Sequence, residues 1–199
     1  AVLRTAIIVN FRAGAARTGA MLPEVVLFAE LEDALLRNAD LLVPYAEGLF
    51  VGSVSAKVIS LTKRPLLLVR DKIPEGPMRV GICVDYSDYA HAAAEFVVNQ
   101  REFFGQDAVF EVINVSDTLE SFHQAVEPVM SIFEDAKIPA ERVHLKGNVG
   151  EAICTHAAEG LDMLVIGSHG YGNFRAAFMG STAMRITAGC EVPLLVLKA

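Results

Sequence analysis

The chain has 199 residues, with 17 Lys+Arg against 24 Asp+Glu, a formal net charge of −7, 53% apolar residues and only 21% charged ones. That balance excludes a disordered chain, which lacks the apolar residues to form a core. It also argues against a nucleic-acid partner, whose phosphates call for a broad basic face. The apolar runs, such as 41–43, 66–69, 163–166 and 194–197, are far shorter than the ~20 residues of a membrane-spanning helix. Residues 1–10 show no secretory leader pattern, so a soluble, cytoplasmic protein without membrane contact is expected. Cys83, Cys154 and Cys190 are widely spaced in apolar surroundings, which predicts buried thiols in a reducing compartment. The five histidines show no ligand spacing, and no metal site is expected.

In chain order, 5–10 reads as a strand, 12–20 as an Ala/Gly/Arg loop, 25–28 as a further strand and 30–38 as a helix. The strand 41–43 follows, then a helix opened by Gly52-Ser53, then the strand 66–69. Residues 72–77, with Pro74, Gly76 and Pro77, form a linker. The second half opens with a strand at 79–84. Ser87 then caps a helix to about residue 103, whose Ala90, Ala93, Ala94, Val97 and Val98 form an apolar stripe. A strand at 108–115 precedes a helix at 118–136. Pro128 lies inside that helix and predicts a kink or an early break. A strand at 142–145, a helix at 149–160, a strand at 163–166, a helix at 181–188 and a strand at 194–197 complete the pattern. Short Val/Ile/Leu runs alternating with helices predict an α/β fold, an open doubly wound parallel sheet. Ligands of such sheets sit beyond the carboxyl ends of the strands.

The first half echoes the second. Residues 39–70 and 161–198 share an acidic residue, a buried strand, a loop, Gly-Ser, a helix, proline and a buried strand. The spacing from Gly52 to Pro65 equals that from Gly180 to Pro193, while the loop before Gly52 is six residues shorter than the loop before Gly180. The expected division is a truncated, degenerate repeat at 1–71 and a complete domain at 78–199.

The segment that carries chemistry is Gly167-Ser168-His169-Gly170, nine further residues, then Gly180-Ser181. Glycines permit a tight turn and close approach of the backbone to a ligand. Gly180, Ser181 and Thr182 open a helix whose free N–H groups favour phosphate oxygens. The same segment also reads as a surface turn followed by a serine cap. Asp85, just past the strand at 79–84, stands where its carboxylate reaches a ribose hydroxyl or a purine amino group; it also reads as a helix-capping residue.

With these motifs on the page, the sequence resembles the universal stress protein family. Gly167, Gly170, Gly180 and Ser181 match the Gly-x-x-Gly, nine residues, Gly-Ser/Thr pattern of its ATP-binding members, and Val84, Asp85 and Ser87 match its Val-Asp-x-Ser. The resemblance covers about 78–198 and, partially, 40–70. It implies a five-stranded parallel sheet of the adenine-nucleotide alpha-hydrolase-like, Rossmann-like kind. It further implies that Asp85 and the backbone near Cys83 hold adenosine, that Val115 and Ile166 flank adenine, and that Gly167, Gly170, Gly180, Ser181 and Thr182 hold phosphates. ATP or AMP is the implied ligand, with Mg²⁺ accompanying it. The first copy has Val43-Pro44-Tyr45-Ala46 in place of the glycine segment and Asn10 in place of the aspartate, and is not expected to bind nucleotide. The strands Leu66–Val69 and Leu194–Leu197 are expected to pair as an internal pseudo-dimer, with a homodimer beyond that left open.

No Gly-Lys-Ser/Thr loop places a lysine on the phosphates. The expected role is therefore regulation in a stress response with at most slow ATP hydrolysis. Two alternatives stand beside it. One is an interaction scaffold that binds no nucleotide. The other is an adenylyl-transfer enzyme of the same fold class, which would carry a His-x-Gly-His motif that 83–87 lacks. His169 and Arg175 read as loop residues, Cys154 and His156 as packing and surface, Met163 and Met179 as fillers near the site, and Glu120, Glu127 and Glu134 as a solvated helix face.

Overall fold

The computed structural model describes residues 7–13, 21–26, 65–69, 77–168, 170 and 180–197. The strands are β1 (Ile7–Ala13), β2 (Met21–Val26), β3 (Leu66–Val69), β4 (Arg79–Cys83), β5 (Val109–Val115), β6 (Ala140–Leu145), β7 (Met163–Gly167) and β8 (Leu194–Leu197). The helices are α1 (Asp88–Asn99), α2 (Arg101–Phe104), α3 (Leu119–Asp135), α4 (Val149–Ala158) and α5 (Ser181–Gly189). The described strands form one sheet in the order β2-β1-β3-β8-β7-β4-β5-β6.

Strands β4 to β8 are mutually parallel. Their sequences explain why both faces are covered. In β7, Met163 and Val165 join the core under α1 and α3, while Leu164 and Ile166 join the core under α4 and α5. In β8, Leu195 and Leu197 face the first core, and Leu194 and Val196 the second. Apolar residues on both sides of a strand require helices on both sides. The expected open, doubly wound α/β fold is the one observed. The order of connection reverses between β4 and β7, which places the crevice between their carboxyl ends.

Local signals held well. Ser87 caps α1, its hydroxyl accepting from the Ala90 N–H at 3.3 Å. Ala90, Ala93, Ala94 and Val97 are buried along that helix. The helix expected to reach residue 103 instead pauses at Gln100, and α2 follows. Helix α3 runs continuously through Pro128, so the early break does not occur. Its buried face, including Phe122, Val126, Val129 and Phe133, outweighs the one backbone hydrogen bond that proline removes.

The front of the chain departs from the expected elements. Strand β1 extends to Ala13, so Arg12 and Ala13 are not loop. Strand β2 begins at Met21 and runs antiparallel to β1. Strand β1 lies beside β3, parallel to it. Strand β3 pairs antiparallel with β8, with Leu67 opposite Leu195, and Leu67 and Leu68 are buried in the two cores. The expected elements at 30–38 and 41–43 and the helix after Gly52 lie outside the described residues.

Three expectations about polar and sulfur groups are overturned. Cys154 and Cys190 form a disulfide, so they are not the buried thiols the wide spacing predicts; spacing in sequence says nothing about two helices that pack together. His156 is not a surface residue. It is 20% exposed, and its Nε2 lies 2.7 Å from Oε2 of Glu111, which is 2% exposed in the middle of β5. Arg79 Nη2 donates to the other Glu111 oxygen at 2.6 Å. A carboxylate buried this deeply needs both partners to offset its lost hydration. Met163 packs in the core under α1 and α3 rather than beside the site.

On the outer face of α3, Glu127 receives two hydrogen bonds from Arg142, at 3.1 and 2.9 Å, and lies 3.1 Å from His123. Arg142 first, then His123, holds the Glu127 carboxyl below its ordinary 4.5. This stabilisation is fully present above pH 4.5 and is lost as the pH falls through the lower folded-state value. Both side chains are water-exposed, at 46% and 39%, so Glu127→Gln is expected to cost only ~0.2–1 kcal/mol at pH 7 and nothing at pH 2. Urea melts at the two pH values check this.

Candidate functional site

At the carboxyl edge of the sheet, where β4 and β7 part, lies a cavity of about 450 Å³. All nine residues singled out in the sequence line it: Cys83, Asp85, Val115, Ile166, Gly167, Gly170, Gly180, Ser181 and Thr182. They come from the ends of β4, β5 and β7 and the start of α5. His169, Arg175 and Met179 lie outside the described residues.

The glycine segment is pinned where it leaves and re-enters the fold. Ser168, fully buried, donates its N–H to Leu197 O at 2.7 Å and accepts from Gly180 N–H at 2.9 Å. The start of α5 is thereby fixed beside the end of β7. Helices α1, α3 and α4 each receive a side-chain cap, from Ser87, Thr118 and Asn148. Helix α5 begins at Gly180 with no side-chain cap. Its first N–H groups and the positive end of its dipole face the cavity with no side-chain oxygen of the N-cap in the way.

Asp85 is both cap partner and cavity wall. Its Oδ1 accepts from the Ser87 N–H at 2.9 Å and from the Ser87 hydroxyl. Its Oδ2 lies 2.7 Å from where a Cβ on residue 170 would stand. A larger residue there would push the Asp85 carboxylate from its place, so Gly170 leaves the carboxylate its room. The end of β5 is steadied by His144, whose Nε2 lies 2.8 Å from Ser116 O and whose ring stacks on Phe122 at 4.6 Å. Cys83 is half-buried at the cavity wall, and burial pushes its thiol up to about 12. It is a packing thiol at neutral pH, not a nucleophile.

Sequence reasoning missed several wall residues. Val149 and Ile153 of α4 and Ile186 of α5 supply apolar surface opposite Ala90 of α1. Asn114, 5% exposed, donates from Nδ2 to Val84 O at 2.9 Å, and its Oδ1 has no hydrogen-bond partner. Its signal was visible as a polar residue inside the apolar strand 109–115. Among the described residues, no group of three or more His, Cys, Asp or Glu side chains is placed to hold a metal ion. No described helix is long and apolar enough to cross a membrane.

The family model for the universal stress proteins matches residues 77–198, the whole of the parallel half of the sheet and its cavity. The chain belongs to the universal stress protein family. Solved universal stress proteins share its fold. One from Archaeoglobus fulgidus DSM 4304 is 21% identical with a TM-score of 0.64, over 78% of this chain and 60% of that one. Another from Archaeoglobus fulgidus is 19% identical with a TM-score of 0.51, over 62% of this chain and 95% of that one. A universal stress protein in complex with cAMP is 16% identical with a TM-score of 0.52, over 62% of this chain and 98% of that one. Among curated proteins, none matches the chain.

Proposed function

We propose that this universal stress protein binds an adenine nucleotide, ATP or AMP, in the cavity between β4 and β7, as a regulatory stress-response module with little or no hydrolysis. The observation that carries the reading is the convergence of Asp85, Gly167, Gly170 and the uncapped start of α5 on one cavity. Its volume, about 450 Å³, lies in the range of small-ligand sites. A related universal stress protein has been solved with cAMP. In this reading Asp85 accepts from the ribose hydroxyls, Val115 and Ile166 flank the base, and the Ser181 and Thr182 amides receive the phosphates, which Gly180, its own N–H held by Ser168 O, lets approach without a side chain in the way. Any Mg²⁺ arrives with the phosphates. The net charge of −7 makes backbone N–H groups, rather than cationic side chains, the main recognition element.

The antiparallel pairing of β3 with β8 supports reading residues 1–71 as a degenerate repeat joined to the complete domain as an internal pseudo-dimer. It covers the β8 edge that would otherwise be open for pairing. The position of β1 next to β3, with β2 antiparallel outside it, is the largest departure from a complete copy. A further homodimer would have to use another surface. A cytoplasmic location completes the reading.

Protein purified and then denatured is expected to release an adenine nucleotide, identified by chromatography and mass. Gly180→Val is expected to release none, because the new side chain stands at the helix start. Equal nucleotide content in both proteins overturns the assignment, and an empty wild-type protein that also fails to take up added ATP favours the scaffold alternative. Turnover near the ~1 per second of ordinary enzymes would instead require a catalytic reading.

A further inference from the structure

The Cys154–Cys190 bond joins α4 to the residue that ends α5. Its sequence separation is 36. The ring it closes contains β7, the glycine segment and all of α5, so Gly167, Gly170, Gly180, Ser181 and Thr182 all lie inside it. The cross-link also touches the cavity walls directly. Ile153, beside Cys154, and Ile186, whose carbonyl accepts from the Cys190 N–H at 2.9 Å, both line the cavity.

Helix α5 has few other means of holding its place. It is nine residues long, reads STAMRITAG, and lacks a side-chain N-cap and a basic residue in its last turn. Isolated helices of that length are marginal in water, and Ser, Thr and Gly are modest helix formers. Its order therefore comes from tertiary ties. These are the Gly180 N–H bond to Ser168 O at 2.9 Å, the burial of Ala183, Ile186 and Thr187, the close approach of Arg185 to Gly150 of α4, where an added Cβ would lie 3.1 Å from Arg185 Cβ, and the disulfide.

We propose that the Cys154–Cys190 pair is a redox control on this site: the bond holds α5 ordered against α4 with its first turn set for an anionic ligand, and reduction to two thiols loosens it. The consequence for nucleotide affinity rests on the binding reading above; the consequence for α5 does not. A hydroperoxide supplies the oxidising step. The sulfur of Cys154, the less buried of the two, attacks a peroxide oxygen. The O–O bond breaks, giving a sulfenic acid and water. The Cys190 sulfur then attacks the sulfenyl sulfur, forming the S–S bond and releasing the second water. Two thiols lose two electrons and two protons, and hydrogen peroxide becomes two waters. A dithiol reductant reverses the step by exchange. Cys83 stays outside this chemistry because burial keeps its thiol protonated, its pKa pushed up to about 12.

Coupling of this kind is reciprocal: if the bond tightens nucleotide binding, nucleotide makes the bond harder to reduce by the same factor. Wild-type protein treated with hydrogen peroxide is expected to show one titratable thiol after denaturation, and three after dithiothreitol. Amide hydrogen exchange across α5 is expected to be faster in the reduced protein, with α3 unchanged. ATP and AMP are expected to bind about tenfold more weakly when reduced, within the 5–150-fold range of ordinary coupling. Cys190→Ser is expected to match the reduced wild type under both conditions. Equal α5 exchange in the two redox states, or three thiols after peroxide, overturns the proposal. So does nucleotide binding that ignores a real change in α5. If α5 responds but neither state takes up ATP or AMP, the redox control of the helix stands and the nucleotide reading fails.

Discussion

Asp85→Ala is expected to weaken adenine-nucleotide binding by roughly 10- to 150-fold, the loss that follows removal of a hydrogen bond to a charged group. Titration calorimetry with ATP and AMP measures it. The carboxylate has two tasks, and the variants separate them. Oδ1 serves the Ser87 N–H and hydroxyl at the entry to α1, while Oδ2 faces the cavity against Gly170. Asp85→Asn keeps an acceptor without the charge and is expected to fall between the wild type and alanine. The Ser87 cap itself survives in both variants, because the Ser87 hydroxyl still accepts from Ala90. Helix content is therefore expected to hold. Wild-type affinity in Asp85→Ala would remove Asp85 from the site and leave only the glycine segment and α5 to account for binding.

Phe133→Ala is expected to cost about 3–5 kcal/mol of folding stability. Phe133 is fully buried, and its ring lies 5.6 Å from Phe110 of β5, which in turn meets Phe104 edge-on at 5.8 Å. This aromatic chain ties α3 and α2 to the sheet on the face opposite α4 and α5. Deleting the Phe133 ring at its α3 end leaves a cavity that rigid strands on one side and a long helix on the other cannot close. Against a typical total of about 5–15 kcal/mol, the loss is large enough to lower a urea midpoint sharply. A cost below about 1 kcal/mol would mean that the two layers repack around the gap.

The parallel half of the fold was legible because its signals are local. Each strand is a short run apolar on both faces, each helix carries a stripe, and Ser87 sits where an N-cap belongs. The cavity was legible for a related reason. In a doubly wound sheet the residues after each strand converge by topology, so Asp85, Val115 and Gly167 meet without any long-range information beyond the fold class. Legibility failed where a residue's meaning depends on a partner distant in sequence. Glu111 reads as an oddity in an apolar strand, and only the fold brings Arg79 and His156 to its two oxygens. Asn114 and Ile186 became wall residues in the same way. Pro128 does not break α3 because the propensity of one residue is set against the buried face of a whole helix, and the face prevails.

The opening balance of composition and charge takes on a more definite meaning with the structure. The 53% apolar content is what two cores, one on each face of the sheet, require. In the proposed nucleotide reading, the acidic surplus leaves anion recognition to glycines and a helix start. Local sequence alone determined the alternation of strand and helix, the glycine spacing and the caps, since each depends on residues a few positions apart. The tertiary structure alone decided that β1 lies beside β3, that a buried glutamate has two partners, and that Cys154 and Cys190 are one bond rather than two thiols. Each of these is a contact between segments whose separation along the chain carries no trace of their distance in space.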